Sequence, residues 1–204
     1  MQIAIVLYEG FTALDAIGPY QTLSPLPGAE CVFVAARRGP VRDDNGTLTL
    51  EAAASFAEVP SPDIVVVPGG PEPDVTDEVL LAWLRAADAT SAWTVSVCTG
   101  SLLLGAAGLL TGRRATSHWL ALDRLRTFGA DPTGERVVFD EKYVTAAGVS
   151  SGIDMGLTLA GRIEGDAFAQ GVQLMIEYDP MPPYDAGSPG KAPVEIVRKF
   201  RQAG

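Results

Sequence analysis

The sequence of 204 residues is poor in the side chains that build metal sites and disulfide frameworks: it has two cysteines, Cys31 and Cys98, and one histidine, His118. A zinc site or a disulfide framework needs more ligands or thiols than these three residues supply. We therefore expect both thiols to be free and the protein to work without a metal ion.

Positive charge is also scarce, since 15 Lys and Arg residues stand against 25 Asp and Glu, a formal net charge of -10. Such a balance repels phosphate backbones and anionic membrane surfaces, so we expect no nucleic acid or membrane partner. No apolar run approaches the roughly 18 residues that cross a bilayer. The opening MQIAIVLYEG has neither the basic region nor the cleavage site of a signal peptide, which predicts a cytoplasmic protein.

Short apolar stretches alternate with segments of helical spacing along the chain. The stretches rich in β-branched residues are IAIVLY, CVFVAA, DIVVVPGG and WTVSVC, which is typical of strands buried on both faces of a parallel sheet. The helical segments are GPYQTL, DEVLLAWLRAADA, GSLLLGAAGLL and WLALDRLRTFG. This alternation predicts an α/β sandwich of three layers with a mostly parallel sheet, formed by residues 1–204 as one domain.

Turn residues and prolines predict the remaining organisation. Asp44-Asn45-Gly46 and Asp140-Glu141 separate strand-like segments and indicate antiparallel hairpins. Residues 152–178 read as two helices, and DPMPPYDAGSPGKAP at 179–193 excludes regular structure, so we expect it to wrap over the surface or a partner subunit. The core positions predicted for the two helices are Ile153, Leu157, Leu159, Val172, Leu174 and Ile176.

Cys98 lies directly after a predicted strand and directly before a predicted helix. A tight turn there would present the thiol at the carboxyl edge of the sheet, as in a nucleophile elbow, with Gly100 relieving crowding. The helix N-terminus would lower the thiol pKa. The alternative is a buried cysteine that acts as a small hydrophobic residue, which is the role we expect for Cys31.

Asp15 follows the first predicted strand and precedes Gly18-Pro19, a pair suited to the N-cap and first position of a helix. With a raised pKa, its carboxyl group could exchange protons with a substrate held over Cys98. An Asx-turn or a helix cap is the more common role for such a residue, and the sequence leaves both roles open.

Three further segments carry candidate groups. Gly69 and Gly70 end a strand and could turn free N–H groups towards an anionic ligand, although a plain Gly-Gly turn explains them as well. Thr99 could donate to the thiolate or the substrate, or cap the helix. His118 could pair with Cys98, but a single histidine 20 residues downstream is more often structural.

Five segments together resemble one enzyme family. They are IAIVLYEGFTALDAIGPY, DIVVVPGG, SVCTGSLLLGAAGLLTGRRATSHW, AAGVSSGIDMGLTLA and EYDPMPPYDAGSP. Along almost its whole length the chain resembles the isonitrile (isocyanide) hydratases of the PfpI-like, class I glutamine-amidotransferase-like superfamily. The block around Cys98 and the proline-rich tail are its specific parts.

The resemblance implies a flavodoxin-like homodimer that hydrates an organic isonitrile to the N-substituted formamide without metal or organic cofactor. It implies Cys98 as nucleophile, Asp15 as the neighbouring acid and base, and Thr99 as a residue that shapes the site. Many relatives carry a histidine after the cysteine and a glutamate at position 15, so protease-like or deglycase-like activity is less expected. The alternatives are a ligand-sensing or redox-sensing domain and a cysteine-dependent hydrolase or deglycase.

Overall fold

The computed structural model describes residues 1–203 as strands and helices in alternation. The strands are β1 Gln2–Val6, β2 Glu30–Ala35, β3 Gly39–Arg42, β4 Thr49–Ala52, β5 Ala54–Ser55, β6 Ile64–Val67, β7 Trp93–Val97, β8 Arg114–Ala115, β9 Asp131–Pro132, β10 Val137–Asp140 and β11 Tyr143–Ala146. The α-helices are α1 Ala13–Leu23, α2 Glu78–Asp88, α3 Gly100–Ala106, α4 Ser151–Glu164, α5 Asp166–Met175 and α6 Val194–Ala203. Two 3₁₀ helices cover Phe56–Glu58 and Leu122–Phe128.

The central sheet has seven strands in the order β10-β11-β7-β6-β1-β2-β5. Every neighbouring pair is parallel except β10 with β11. All four residues of β6 are buried, as expected of a strand covered on both faces. Along the chain, strands are added on one side of β1 up to β5, and from β6 onwards they are added on the other side. The strand order therefore reverses between β1 and β6, and the loops that follow these two strands lie next to each other.

Helices cover both faces of this sheet. On one face, an apolar cluster joins Ile3, Ile5, Val95 and Val97 to α1 and α4. On the other face, a second cluster joins the strand residues that point the opposite way to α2 and α3. Strands β1, β2 and β6 therefore contribute side chains to both clusters, as their twofold alternation requires. The predicted mostly parallel α/β sandwich is confirmed, and the arrangement is flavodoxin-like.

The two predicted hairpins are confirmed. β3 pairs with β4 as a separate two-stranded sheet around Asp44-Asn45-Gly46, and β10 pairs with β11 around Asp140-Glu141. The two helices predicted between 152 and 178 are α4 and α5. The core position predicted for Leu174 is wrong, since this residue is 78% exposed on α5, a helix that packs against α4.

The expected helix start at Gly18-Pro19 is wrong. Helix α1 begins at Ala13, after the N-cap Thr12, and Pro19 lies inside it. Gly18 serves close packing instead, since a Cβ there would lie 3.2 Å from the Ile153 side chain of α4. The segment WLALDRLRTFG is also not an α-helix, because residues 122–128 wind into a 3₁₀ helix with only Leu125 buried.

The proline-rich segment 179–193 has no regular structure and is exposed throughout residues 179–191, as the sequence predicted. None of the helices described between residues 1 and 203 is both long and apolar enough to cross a membrane.

Candidate active site

Cys98 occupies the sharp turn between β7 and α3, and its backbone is left-handed, with φ at 58°. This conformation is uncommon for a residue other than glycine and is held by hydrogen bonds on both sides. The Cys98 N–H donates to the carbonyls of Ala146 and Ala147 at 3.0 Å, and the Cys98 carbonyl accepts from the hydroxyls of Ser101 and Ser117 at 3.1 Å. The predicted nucleophile elbow is therefore present at the carboxyl edge of the sheet.

Gly100 permits this turn because the chain there passes over the end of β6. A Cβ on Gly100 would collide with the Val67 carbonyl oxygen and would lie 2.8 Å from the Pro68 carbonyl oxygen. These are backbone atoms that cannot move aside as a flexible side chain could. The glycine is required for the close approach of the Cys98 turn to the loop after β6.

Asp15, in the first turn of α1, is fully buried beneath the Cys98 turn. Its Oδ2 accepts the Gly69 N–H at 3.0 Å, while the buried Oδ1 has no hydrogen-bond partner of regular geometry within residues 1–203. Burial raises the pKa of Asp15 from 3.8 to about 7, against the lowering effects of the Gly69 N–H and the Cys98 thiol. The carboxyl group can therefore take up and release a proton at neutral pH.

The Cys98 thiol contradicts the expectation of a lowered pKa. Burial, followed by the charge of Asp15, raises its pKa to about 12, although the N–H groups of Val149 and Thr99 act in the opposite direction. The predicted effect of the helix end is outweighed because α3 has only seven residues and the sulfur is almost completely desolvated. In the free protein the proton consequently resides on sulfur and Asp15 is the group that ionises near neutrality.

Thr99 occupies the N-cap position of α3, but its hydroxyl bonds neither to the N–H groups of that helix nor to the sulfur. Its Oγ1 donates to the Gly70 carbonyl at 2.5 Å and accepts the Gly70 N–H at 2.9 Å. The expected free N–H groups of Gly69 and Gly70 are thus both occupied, by Asp15 and Thr99 respectively. Gly69 has no room for a side chain, since a Cβ would lie 2.6 Å from the Thr99 nitrogen and 2.9 Å from Asp15 Oδ2. The Gly-Gly loop holds the acid in place.

Two further residues reach the site that the sequence did not single out. Val149, in the loop after β11, directs its N–H at the Cys98 sulfur and has φ at 33°. Tyr8, after β1, donates its hydroxyl to the Pro68 carbonyl at 3.0 Å, and burial, with the charges of Asp15 and Cys98, raises its pKa well above the usual value. Both follow strands whose carboxyl ends meet at this edge, which is the signal that could have found them.

His118 does not pair with Cys98. Within the described chain its Nδ1 accepts the Leu120 N–H at 3.4 Å, and no hydrogen bond joins the imidazole to the thiol. Cys31 is half-buried on β2, where it packs at the edge of the apolar cluster, and burial raises its pKa to about 11. Across residues 1–203, no three His, Cys, Asp or Glu side chains are grouped so that they could hold a metal ion.

A cavity of about 390 Å³ adjoins the Cys98 turn. Its wall includes Ser117, which bonds to the Cys98 carbonyl, and Val149, whose N–H faces the sulfur. A larger cavity of about 650 Å³ lies on the α2 side of the sheet, and Tyr8 is the residue of the site that lines it. Of the two cavities, the smaller one borders both Ser117 and Val149, the groups that contact Cys98.

Comparison with known proteins identifies close relatives. The profile of the DJ-1/PfpI family matches residues 1–162. An isonitrile hydratase of Pseudomonas putida is 43% identical over 204 residues, which is 99% of this chain and 89% of that protein. The transcriptional regulator CdhR of Pseudomonas aeruginosa is 32% identical over 67% of this chain and 41% of its own length.

Solved structures agree with this relationship. A ThiJ/PfpI family protein from Pseudomonas syringae superposes with a TM-score of 0.95 at 39% identity, and the match covers 99% of this chain and 85% of that one. The same architecture, at 22% identity and a TM-score of 0.77, occurs in a DJ-1 protein of Toxoplasma gondii.

Proposed function

Since the chain belongs to the DJ-1/PfpI family, we propose that its buried Cys98 and Asp15 pair hydrates organic isonitriles to N-substituted formamides. The Pseudomonas putida isonitrile hydratase supports this function because it is 43% identical over nearly the full length of both chains. The observation that carries the chemistry is the carboxyl group of Asp15, buried against the thiol and titrating near pH 7. The enzyme is a cysteine-dependent hydro-lyase.

In the first step the thiol adds to the terminal carbon of the isonitrile. Asp15, as a carboxylate, accepts the S–H proton while sulfur attacks the carbon, and it then delivers that proton to the same carbon. The product is a thioimidate, R–N=CH–S–Cys98, and Asp15 is again a carboxylate. The N–H groups of Val149 and Thr99 stabilise the charge on sulfur during the transfer.

In the second step Asp15 removes a proton from water, whose oxygen bonds to the thioimidate carbon, and the proton passes to the substrate nitrogen. The tetrahedral intermediate R–NH–CH(OH)–S–Cys98 then breaks its C–S bond. Its hydroxyl proton passes through Asp15 to the departing sulfur, which releases the formamide and restores the thiol and the carboxylate. Asp15 therefore moves every proton that changes place, and its unpaired Oδ1 is the atom available for this.

Turnover of a simple isonitrile tests the function directly. The purified protein should convert cyclohexyl isonitrile to N-cyclohexylformamide with multiple turnovers per chain, measured by chromatography against an authentic standard. A ligand sensor would give no turnover, and a deglycase would instead release amines from glyoxal adducts. Neither result is compatible with the proposal.

Thr99→Val offers a test of the loop that positions the acid. The change keeps the side-chain shape but leaves the buried N–H and carbonyl of Gly70 without their partner, so the Gly69 N–H that orients Asp15 should shift. We expect kcat to fall about tenfold to a hundredfold, as small displacements of catalytic groups do, and stability to fall by about 2 kcal/mol. Thr99→Ser should retain most of the rate, and equal losses in both variants would contradict this role.

We further propose that the enzyme is a cytoplasmic homodimer. Several large apolar side chains of the C-terminal quarter are exposed to an extent that favours coverage by a second copy: Leu174, Met175, Met181, Tyr184, Val194 and Phe200. Light scattering should give a particle of twice the 21.4 kDa chain mass at micromolar concentration. A mass of one chain would refute the dimer without affecting the chemistry of Cys98.

A further inference from the structure

The cavity beside Cys98 is lined by apolar side chains together with polar ones, namely His118, Arg136, Thr116, Ser117, Ser150 and Ser188. Its large apolar side chains are Leu14, Trp119, Leu122 and Val149, and residues 187–189 of the proline-rich segment close one side. At about 390 Å³ it lies at the lower end of the range of about 300–1,000 Å³ that is usual for ligand pockets. The apolar part of the lining suits a small hydrocarbon substituent on the isonitrile nitrogen. The Arg136 guanidinium is engaged by Asp154 at 2.6 Å and by the Ser150 hydroxyl at 3.2 Å, whereas His118 adds a polar group with a donor that is free within the described chain.

The protonation of His118 follows from its surroundings. Its Nδ1 accepts the Leu120 N–H at 3.4 Å, and burial lowers the pKa of the imidazole, so the ring is neutral near pH 7. A neutral imidazole carries one proton, which these contacts assign to Nε2. Within residues 1–203 the Nε2–H has no hydrogen-bond acceptor, and the ring is half-buried at the cavity wall.

Gly148 allows this imidazole to pack closely against the backbone next to the Cys98 turn. A Cβ on Gly148 would lie 2.6 Å from Cδ2 and 3.4 Å from Nε2 of His118, so the edge of the ring packs against the glycine backbone. Gly148 stands between Ala147, whose carbonyl accepts the Cys98 N–H, and Val149, whose N–H faces the sulfur. The Nε2–H therefore lies beside the residue that joins the two groups in contact with Cys98, on the wall of the same cavity.

We propose that His118 determines substrate preference: its Nε2–H donates a hydrogen bond to an oxygen carried by the isonitrile substituent close to the isonitrile group. This inference rests on the proposed hydratase function. A substrate with a carbonyl two bonds from the isonitrile nitrogen satisfies the donor, whereas a hydrocarbon of the same shape buries it unpaired. The enzyme therefore selects acyl-bearing or ester-bearing isonitriles over alkyl isonitriles of equal size.

The test uses two isonitriles of nearly identical shape, methyl isocyanoacetate and 2-methylbutyl isonitrile, with kcat and KM measured for each. In His118→Phe, which keeps a ring but removes the donor, kcat/KM for the ester should fall about tenfold relative to the hydrocarbon, mainly through KM. The ratio between wild type and variant cancels the intrinsic difference in reactivity between the two compounds. His118→Gln, which places an amide N–H near the position of Nε2, should retain part of the preference.

Trp119→Phe is the matched control, because Trp119 lines the same cavity. It should affect both isonitriles alike through lost apolar contact. The proposal is overturned if His118→Phe slows both compounds equally, if it leaves their ratio unchanged, or if Trp119→Phe removes the preference instead. Thermal unfolding of each variant confirms that it is folded.

Failure of the proposed hydratase function can be distinguished from failure of the His118 proposal. If the wild-type protein hydrates neither isonitrile, that function is wrong, and calorimetry with the two formamides still decides on His118. Methyl N-formylglycinate should bind His118→Phe about tenfold more weakly than wild type, while N-(2-methylbutyl)formamide binds both proteins equally. Equal binding of the formylglycinate to both proteins would overturn the assignment of the donor.

Discussion

Replacing Cys98 with serine should lower the rate of isonitrile hydration by at least about four orders of magnitude, as removal of a nucleophile does in other enzymes. The serine hydroxyl fits the same turn, so the protein should remain folded. It is a much weaker acid than a thiol, and Asp15 with its pKa of about 7 cannot deprotonate it effectively. Formamide production and thermal unfolding together measure the effect.

Cys31→Ser is the matched control for this experiment. Cys31 lies half-buried on β2, away from the Cys98 turn, so its replacement should cost some stability and leave kcat unchanged. Mass spectrometry of wild type quenched during turnover should show an adduct with the mass of the isonitrile on the peptide that contains Cys98. Hydration at the normal rate by Cys98→Ser would exclude the covalent mechanism.

The second large effect is expected for Asp15→Asn. The amide can no longer accept the thiol proton or deliver one to carbon, so kcat should fall by about a thousandfold or more. The amide oxygen can still accept the Gly69 N–H, so the fold is retained. Asp15→Glu keeps the acid but displaces it in a site without spare room, and partial activity is expected.

The pH dependence of kcat/KM distinguishes this role from a structural one. The active form carries Asp15 ionised and the thiol protonated, so the rate should rise as pH rises through about 7. Asp44→Asn is the matched control, since the charge of Asp44 contributes to raising the pKa of Asp15. The inflection in the pH profile of kcat/KM for Asp44→Asn should move to lower pH, and the maximum rate should be preserved. An unchanged profile in Asp15→Asn would remove Asp15 from the mechanism.

The pH dependence of folding stability provides an independent test of the raised pKa of Asp15. The pKa of Asp15 is raised on folding from 3.8 to about 7, so between these values the folded state binds more protons and loses stability as pH rises. The ionised carboxyl costs the fold up to about 4 kcal/mol above pH 7. Asp15→Asn should therefore melt higher than wild type at pH 8, and the difference should shrink towards pH 4.

The sequence predicted the sheet and the positions of Cys98 and Asp15 because strand patterns and the strand-to-helix junction are local features. It failed where the outcome depends on contacts between distant segments. Pro19 is accommodated inside α1, and Gly18 packs against Ile153, which lies 135 residues further along the chain.

The pKa of Cys98 and the hydrogen bonds of the site also could not be predicted from local sequence features. The position of Cys98 before a helix suggests a lowered pKa, but desolvation and the facing carboxylate of Asp15 reverse its direction. The occupied N–H groups of Gly69 and Gly70 depend in the same way on distant partners, Asp15 in α1 and Thr99 after Cys98. The contribution of Val149 requires knowledge that β11 lies beside β7.

The left-handed backbone at Cys98 has a consequence for how this position changes over evolutionary time. Any side chain there carries a conformational cost of about 1–2 kcal/mol that glycine avoids. A lineage that no longer needs the reaction should therefore drift towards glycine at position 98 and gain stability by doing so. Persistence of a side chain at this turn in a descendant of this protein would itself be a sign of continued selection for chemistry.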